Sequence, residues 1–224
     1  TDTDLKDLNA QLDLIHSSYR INKINISTKE FSSFKWLGGY MTYARILIPN
    51  LIDEPKALYL DCDLVINTDV CELFDIPLQG HPFGAVSWND VSTSNDSFFL
   101  LHHQCLAEQK YFNAGVLLLD LEALRDDRFT EKCIDFGAVH GKALPSADQT
   151  ILNFLYGKAF LPLPRRYNTV ISTDRETLVA EQIHDRIIHF VGYPKPWSLF
   201  GGIHPNSWIL KTVCVWNPAM LRTR

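Results

Sequence analysis

Two aspartates one residue apart, Asp61 and Asp63, follow the apolar run Leu58-Tyr59-Leu60. In extended backbone, residues two apart project to the same side, so both carboxylates can enter one crevice while Cys62 points away. Carboxylates that close repel each other, and one is partly protonated unless a cation lies between them. Mg2+ or Mn2+ satisfies such a pair and keeps positions open for diphosphate oxygens. The plainer alternative is two solvated acids in a turn. The apolar lead-in favours the first reading, because a solvated turn needs no buried approach. Upstream, Arg45 offers a guanidinium fork suited to phosphate, against the alternative of an ordinary helix-surface arginine.

The elements that must hold these residues are read from hydrophobic pattern. Thr3 or Asp4 can cap a helix carrying Leu5, Leu8, Leu12 and Ile15. Residues 21–26 read as a short strand, 41–52 as a helix interrupted by Pro49, and 56–61 and 83–88 as strands. Residues 112–121 (FNAGVLLLDL) are apolar on both faces, as in a central strand covered by helices. Residues 147–157 have helical spacing with a glycine stop, and 186–191 are strand-like. Strands alternating with helices predict one α/β domain, Rossmann-like, with a mostly parallel mixed sheet over residues 1–224 and an irregular extension at 197–224. Ligands of such sheets bind beyond the carboxyl ends of the strands, where the acids stand.

Bulk properties narrow the function. A net charge of −5 gives no basic footprint for nucleic acid; Arg165-Arg166 is the clearest basic pair. The five cysteines, Cys62, Cys71, Cys105, Cys133 and Cys214, are scattered and contain no C-x-x-C pair, which fits reduced thiols better than a disulfide framework or zinc site. No apolar run is long enough to span a bilayer, and the start lacks the form of a signal peptide. The expectation is a cytoplasmic protein. Trp208, Trp216, Lys211, Arg222 and Arg224 offer peripheral contact with the inner face of a membrane, against the alternative of a solvated tail. The sequence sets no oligomeric state.

The run ALYLDCDLVI at 57–66, continuing to Thr68-Asp69 and Glu72-Leu73-Phe74, resembles the YLDxDxxxxxDxxxLF segment of the retaining glycosyltransferases of family eight. Four further segments resemble that family in its order: Tyr43-Ala44-Arg45; 111–116 (YFNAGV); 146–153 (SADQTILN); and 189–197 (HFVGYPKPW). The resemblance covers roughly residues 40–200. It implies a GT-A-type nucleotide-sugar domain, a UDP-sugar donor, Mn2+ with Mg2+ as the alternative, and a glycan or glycolipid acceptor such as lipopolysaccharide. It implies Asp61, Asp63 and His189 as metal ligands. Arg45, Asp61, Cys62, Asp63, Asn113, Ala114, Gly115, Gly192 and Lys195 form the implied donor-binding set. Asp148 is implied to orient the donor sugar and Gln149 to sit beside the anomeric carbon. The segment at 146–153 departs in one place, since Thr150 stands where the family has a second acid; Ser146 and Asp148 can also serve as helix caps. By this resemblance the sequence is expected to start at the helix that follows the family's first strand-helix-strand unit.

The reading is therefore a Mn-dependent retaining hexosyltransferase, with galactose or glucose favoured. With no carboxylate nucleophile beside Gln149, the acceptor attacks from the face the diphosphate leaves. A degenerate, non-catalytic relative and a sugar-nucleotide nucleotidyltransferase are the alternatives. Residues 88–109, with Asn89, Asp90, His102 and His103, are expected to form the acceptor-side loop.

Overall fold

The computed structural model describes residues 20–27, 29–32, 34, 40–172, 179, 182–198 and 206–209. Its first sheet is built around β4 (Lys110–Asp120), which contains most of the run expected to be a central strand. β1 (Lys56–Leu60) and β3 (Phe83–Asp90) flank β4, both antiparallel to it, and β5 (Leu161–Pro162) adds a short parallel edge on β3. Side chains alternate across β4. Leu117 and Leu119 join one core cluster with Phe83, Ala85 and Phe112, while Val116 and Leu118 join a second with Val86, Leu73 and Ile187. Both faces are covered, which is why the sequence shows no polar alternation there.

The second sheet has the order β2 (Leu64–Asn67), β7 (Arg186–Phe190), β6 (Thr169–Ile171). β2 is antiparallel to β7 and β6 is parallel to it. The chain passes from β1 of the first sheet to β2 of the second through residues 61–63. The α/β class with mixed sheets is as expected. The parallel share is smaller: among the described residues, three of the five pairings are antiparallel. The physical reason is that β1 and β3 both run against β4, a direction that hydrophobic pattern does not encode.

Helices flank the first sheet. A 3-10 helix, Tyr40–Leu47, runs into α1 (Ile48–Leu51), with Pro49 in the first turn where its missing N–H is harmless. The short helices α2 (Val70–Phe74) and α3 (Ser97–His102) follow, then α4 (Leu121–Asp126), α5 (Phe129–His140) and α6 (Asp148–Tyr156). The buried face of α5 is Phe129, Thr130, Cys133 and Gly137, and after Phe129 these are small or polar residues that leave no apolar period to read. Phe31, Phe34 and Tyr43 form an aromatic cluster against it, with ring centroids 4.9–5.5 Å apart.

Residues 21–26 form no strand, and residues 22–25 are exposed. The expected helix beginning at Thr3 or Asp4 lies outside the described residues, as do Lys211, Trp216, Arg222 and Arg224. Within the expected extension, Ile209 is buried on the second sheet with Ile188 and Phe190, and Trp208 packs beside it. No helix among the described residues is long and apolar enough to cross a membrane.

Candidate active site

An irregularity in β4 creates the site. Between Ala85 and Val86 on β3 the pairing jumps from Leu117 to Asn113, so Ala114, Gly115 and Val116 have no counterpart there and β4 bulges. Main-chain groups of the bulge bond to side chains and to β1's end instead. The Ala114 N–H donates to Gln149 Oε1 at 3.0 Å, and the Gly115 N–H donates to Asn113 Oδ1 at 2.9 Å. The Ala114 carbonyl accepts from Arg45 Nη1, and the Gly115 carbonyl accepts from the Asp61 N–H at 2.8 Å.

The two acids stand at the junction of the sheets. β1 ends at Leu60 and the chain turns through Cys62 and Asp63, so the extended backbone expected for the pair is not what aligns it. Asp61 is tied to β4 by its N–H, whereas the Asp63 carbonyl accepts from the Phe190 N–H of β7 at 3.0 Å. His189, buried on β7, brings Nε2 to 3.1 Å from Asp63 Oδ1 and 3.8 Å from Asp61 Oδ2. One ligand atom from each of Asp61, Asp63 and His189 lies within 4.8 Å of the others. A Cβ at residue 115 would sit 2.2 Å from His189 Cε1 and 2.9 Å from Asp61 Oδ2, so glycine is required for this convergence.

Cationic side chains already relieve the repulsion between the acids. Burial alone would raise the Asp63 carboxyl, but hydrogen bonds and charge from the His189 ring, when both its nitrogens carry protons, and from Lys195 hold it down at about 2. Lys195 Nζ lies 2.6 Å from Asp63 Oδ2. Asp63 is thus ionised, as expected of a carboxylate beside a cation. Asp61 Oδ1 accepts from Tyr59 Oη at 2.6 Å and from Arg45 Nη2 at 2.9 Å.

Arg45 is placed otherwise than at an open phosphate face. Only 8% of its side chain is exposed; it lies between Asp61 and Asp148 with its guanidinium 4.6 Å from the Tyr59 ring centroid. Burial works against its charge, and Asp148 and Asp61 overcome that to hold its pKa above the ordinary value. Asp148, at the start of α6, is buried; burial pushes its carboxyl up, against the pull of Arg45 and Thr42. Its Oδ1 accepts from Thr42 Oγ1 at 2.5 Å. Its Oδ2 lies 2.8 Å from Arg45 Nε, but that N–H is directed at the Thr42 carbonyl, so Oδ2 has no hydrogen-bond donor.

Gln149 is fixed on three sides. Its Oε1 accepts from Ala114 N and from Asn113 Nδ2 at 3.1 Å, and its Nε2 donates to Tyr111 Oη at 2.7 Å. Tyr111 in turn donates to Asp96 Oδ2 at 2.9 Å, and Thr150 Oγ1 donates to the same oxygen at 2.7 Å. Ser146 Oγ donates to Asp96 Oδ1, so it does not cap α6. Ala147, just before Asp148, has φ 53°, a conformation that costs alanine energy and is sustained by the packing around it.

A cavity of about 350 Å3 opens here, lined by Thr42, Arg45, Asp61, Asp63, Asn113, Ala114, Gly115, Ser146, Ala147, Asp148, Gln149, His189, Val191 and Gly192. Every residue expected from sequence to form the site lines it except two: Lys195 reaches it through Asp63, and Cys62 is exposed and outside the lining. Gly192, at φ 73°, has the left-handed backbone that favours glycine. Thr42, Tyr59, Asp96, Tyr111 and Asn168 support the site without having been singled out. They enter it through tertiary contacts that spacing along the chain does not reveal. The expected acceptor-side segment contains β3's end and α3; its Asn89 bonds the Thr93 carbonyl and its Asp90 pairs with Lys110.

The donor set of two carboxylates and one imidazole fits a divalent cation. Asn168 Oδ1 engages His189 Nδ1, turning Nε2 to the acids, and a mixed nitrogen–oxygen set is one that Mn2+ accepts.

Comparison with known proteins agrees with this arrangement. Residues 1–200 match the family described as Glycosyl transferase family 8. The chain is 31% identical over 197 residues to Glycosyltransferase GlyA of Streptococcus pneumoniae, covering 87% of this chain and 26% of that protein. It is 29% identical over 161 residues to Lipopolysaccharide 1,2-glucosyltransferase of Escherichia coli, covering 67% of this chain and 46% of that one. The chain thus spans less than half the length of these curated relatives. Among solved structures, galactosyltransferase LgtC in complex with donor and acceptor sugar analogs superposes with a TM-score of 0.70 at 22% identity, covering 90% of this chain and 75% of that one. Glycosyltransferase GlyE of S. pneumoniae superposes with a TM-score of 0.54 at 24% identity, over 77% of this chain and 47% of that one.

Proposed function

This chain belongs to glycosyl transferase family 8 and has the α/β fold of GT-A glycosyltransferases, and from that premise we propose that it is a retaining hexosyltransferase acting on a UDP-sugar. The observation that carries the proposal is one cavity in which Asp61, Asp63 and His189 converge beside a buried Asp148 oxygen that lacks a donor. Galactose or glucose is the proposed sugar. The proposed acceptor is a hydroxyl of a glycan or glycolipid of the lipopolysaccharide kind, met at the inner face of a membrane by a cytoplasmic enzyme. Residues 1–224 are proposed to form a single catalytic domain.

Asp61, Asp63 and His189 would hold Mn2+, which when bound neutralises charge on the departing diphosphate. Lys195, already paired with Asp63, stands ready to exchange that carboxylate for a phosphate oxygen. Asp148 Oδ2 takes a donor-sugar hydroxyl, completing its own hydrogen bonding. The contact surface left by the Ala114–Gly115 bulge has no large side chain, which leaves room for the sugar ring.

Gln149 contributes an N–H. Both acceptor sites of its carbonyl oxygen are engaged, by Ala114 N and Asn113 Nδ2, so that oxygen is poorly disposed to attack an anomeric carbon. Thr150 supplies no carboxylate and gives its proton to Asp96. These contacts support attack on the face the diphosphate leaves, with a phosphate oxygen receiving the acceptor's proton. Arg45 acts from behind, pairing with Asp61 and Asp148 and holding both in place.

The test is thermal unfolding with UDP, in Mn2+ or in EDTA, with GDP and ADP as controls. UDP at ~100 times its Kd should add roughly 2.7 kcal/mol, an increase of about 5–11 °C in Tm, only when Mn2+ is present. Equal stabilisation by all three nucleotides, or by UDP in EDTA, contradicts the donor or the metal assignment respectively.

A further inference from the structure

Hydrogen-bond direction singles out a residue that no sequence motif contains. Asn168 is fully buried where the 3-10 helix Arg165–Tyr167 leads into β6. Its carbonyl accepts from Trp88 Nε1 at 2.7 Å, which ties its backbone to β3. Its side chain spans the gap between the two sheets. Asn168 Nδ2 donates to Asn113 Oδ1 at 2.8 Å, and Asn168 Oδ1 lies 3.1 Å from His189 Nδ1.

A side-chain amide can be turned end for end, so the direction of this path must be imposed by a group that cannot turn. That group is the main-chain N–H of Gly115, in the bulged part of β4, which donates to Asn113 Oδ1. Asn113 therefore presents its oxygen to Asn168. Asn168 must answer with its NH2 group, which turns its own oxygen to His189. An oxygen in that position accepts, so Nδ1 carries the ring proton and the Nε2 lone pair faces Asp61 and Asp63.

We infer that Asn168 is a positioning residue for His189, carrying the direction set by the Gly115 N–H to the imidazole so that Nε2 meets the two carboxylates as a lone pair. The inference builds on the metal-site reading above, but the ring assignment follows from contacts within the protein alone. The competing force is local. Asp63 Oδ1, 3.1 Å from Nε2, favours a proton on that nitrogen. Asn168 holds the ring against this preference; an asparagine serving only to fill space leaves the choice to Asp63. Partners of this kind typically change metal affinity by about 10–100-fold when removed.

The experiment is long-range 1H–15N NMR of the histidine rings in the metal-free full chain at pH ~9, where an ordinary imidazole is neutral. The His189 signals are identified by their loss in H189Q. The wild type should carry its proton on Nδ1. N168A should move it to Nε2, while N168D, which keeps an acceptor toward the ring but loses the bond to Asn113, should retain Nδ1–H. If N168A does not fold, N168S tests the same loss of reach. Mn2+ titration calorimetry should show affinity reduced about 10–100-fold in N168A and partly regained in N168D. An Nε2–H ring in the wild type, or an unchanged ring in the folded alanine or serine variant, overturns the inference. A wild type with Nδ1–H that binds neither Mn2+ nor UDP upholds the role of Asn168 and instead sinks the proposed function.

Discussion

Replacing Arg45 with methionine keeps much of its length and removes its charge. In the wild type this side chain is 8% exposed and pairs with Asp148, itself 3% exposed, and with Asp61. Deleting one partner of a buried pair costs about 3–5 kcal/mol, because the remaining charge is left without compensation. For a domain of this size that lowers Tm by roughly 6–20 °C. Asp148 can soften the loss by taking a proton, since burial already pushes its carboxyl up and the variant removes the chief opposing charge. Its folded pKa then lies above the unfolded value. The stability gained from protonation is full below the unfolded pKa and disappears as pH rises through the folded one. The deficit of R45M should therefore be larger at pH 8 than at pH 5. Adding D148N removes the uncompensated carboxylate, so R45M/D148N should recover part of the loss and flatten the pH dependence. Differential scanning fluorimetry at both pH values, with urea unfolding to give free energies, measures all three proteins. An R45M variant that unfolds within about 1 °C of wild type at pH 8, or a double variant no more stable than R45M, refutes the view of Arg45 as the buried counter-charge.

Other expectations concern the same cavity. G115A forces a methyl group against His189 and Asp61, both held by other bonds; overpacking should cost about 1–3 kcal/mol, and calorimetry should show Mn2+ affinity falling at least about tenfold. T150D places a second carboxylate where the threonine hydroxyl now lies 2.7 Å from Asp96, so urea unfolding should reveal destabilisation at pH 8 that lessens at pH 5 and is relieved by D96N. The Asp63 carboxyl, held at about 2, stabilises the fold fully above the ordinary carboxylate pKa. That contribution, on the order of 2 kcal/mol, is lost as pH falls toward 2, and in EDTA the D63N protein should show a shallower decline in stability over that interval.

Most of the cavity was legible because its residues come in short runs. Asp61 and Asp63 follow a strand end, Asp148 and Gln149 open a helix, and these runs, like Asn113 to Gly115 inside β4, resemble family segments, which is what placed them together. The manner of alignment was not legible. Asp61 and Asp63 converge across a turn because each is bonded to a different sheet, and such bonds leave no trace in spacing. Arg45 was expected to face phosphate, yet the acids on both sides of it are distant in sequence and only folding makes it their counter-charge. Asp96 and Asn168 gave no signal, since an acid in a loop and an asparagine after a tyrosine are ordinary until their partners are known. The same holds for strand direction, which depends on how connections return the chain.

The division of Asp61 and Asp63 between β4 and β7 has a thermodynamic consequence. An ion gripping both carboxylates and His189 is a clasp across a seam, and its binding free energy also resists separation of the two sheets. By reciprocity, whatever loosens the seam weakens the grip on the ion by the same factor. Amide exchange in β2, β6 and β7 is where that tension is written: those strands should open less often when the clasp is closed, although β7 alone of the three carries a proposed ligand, His189.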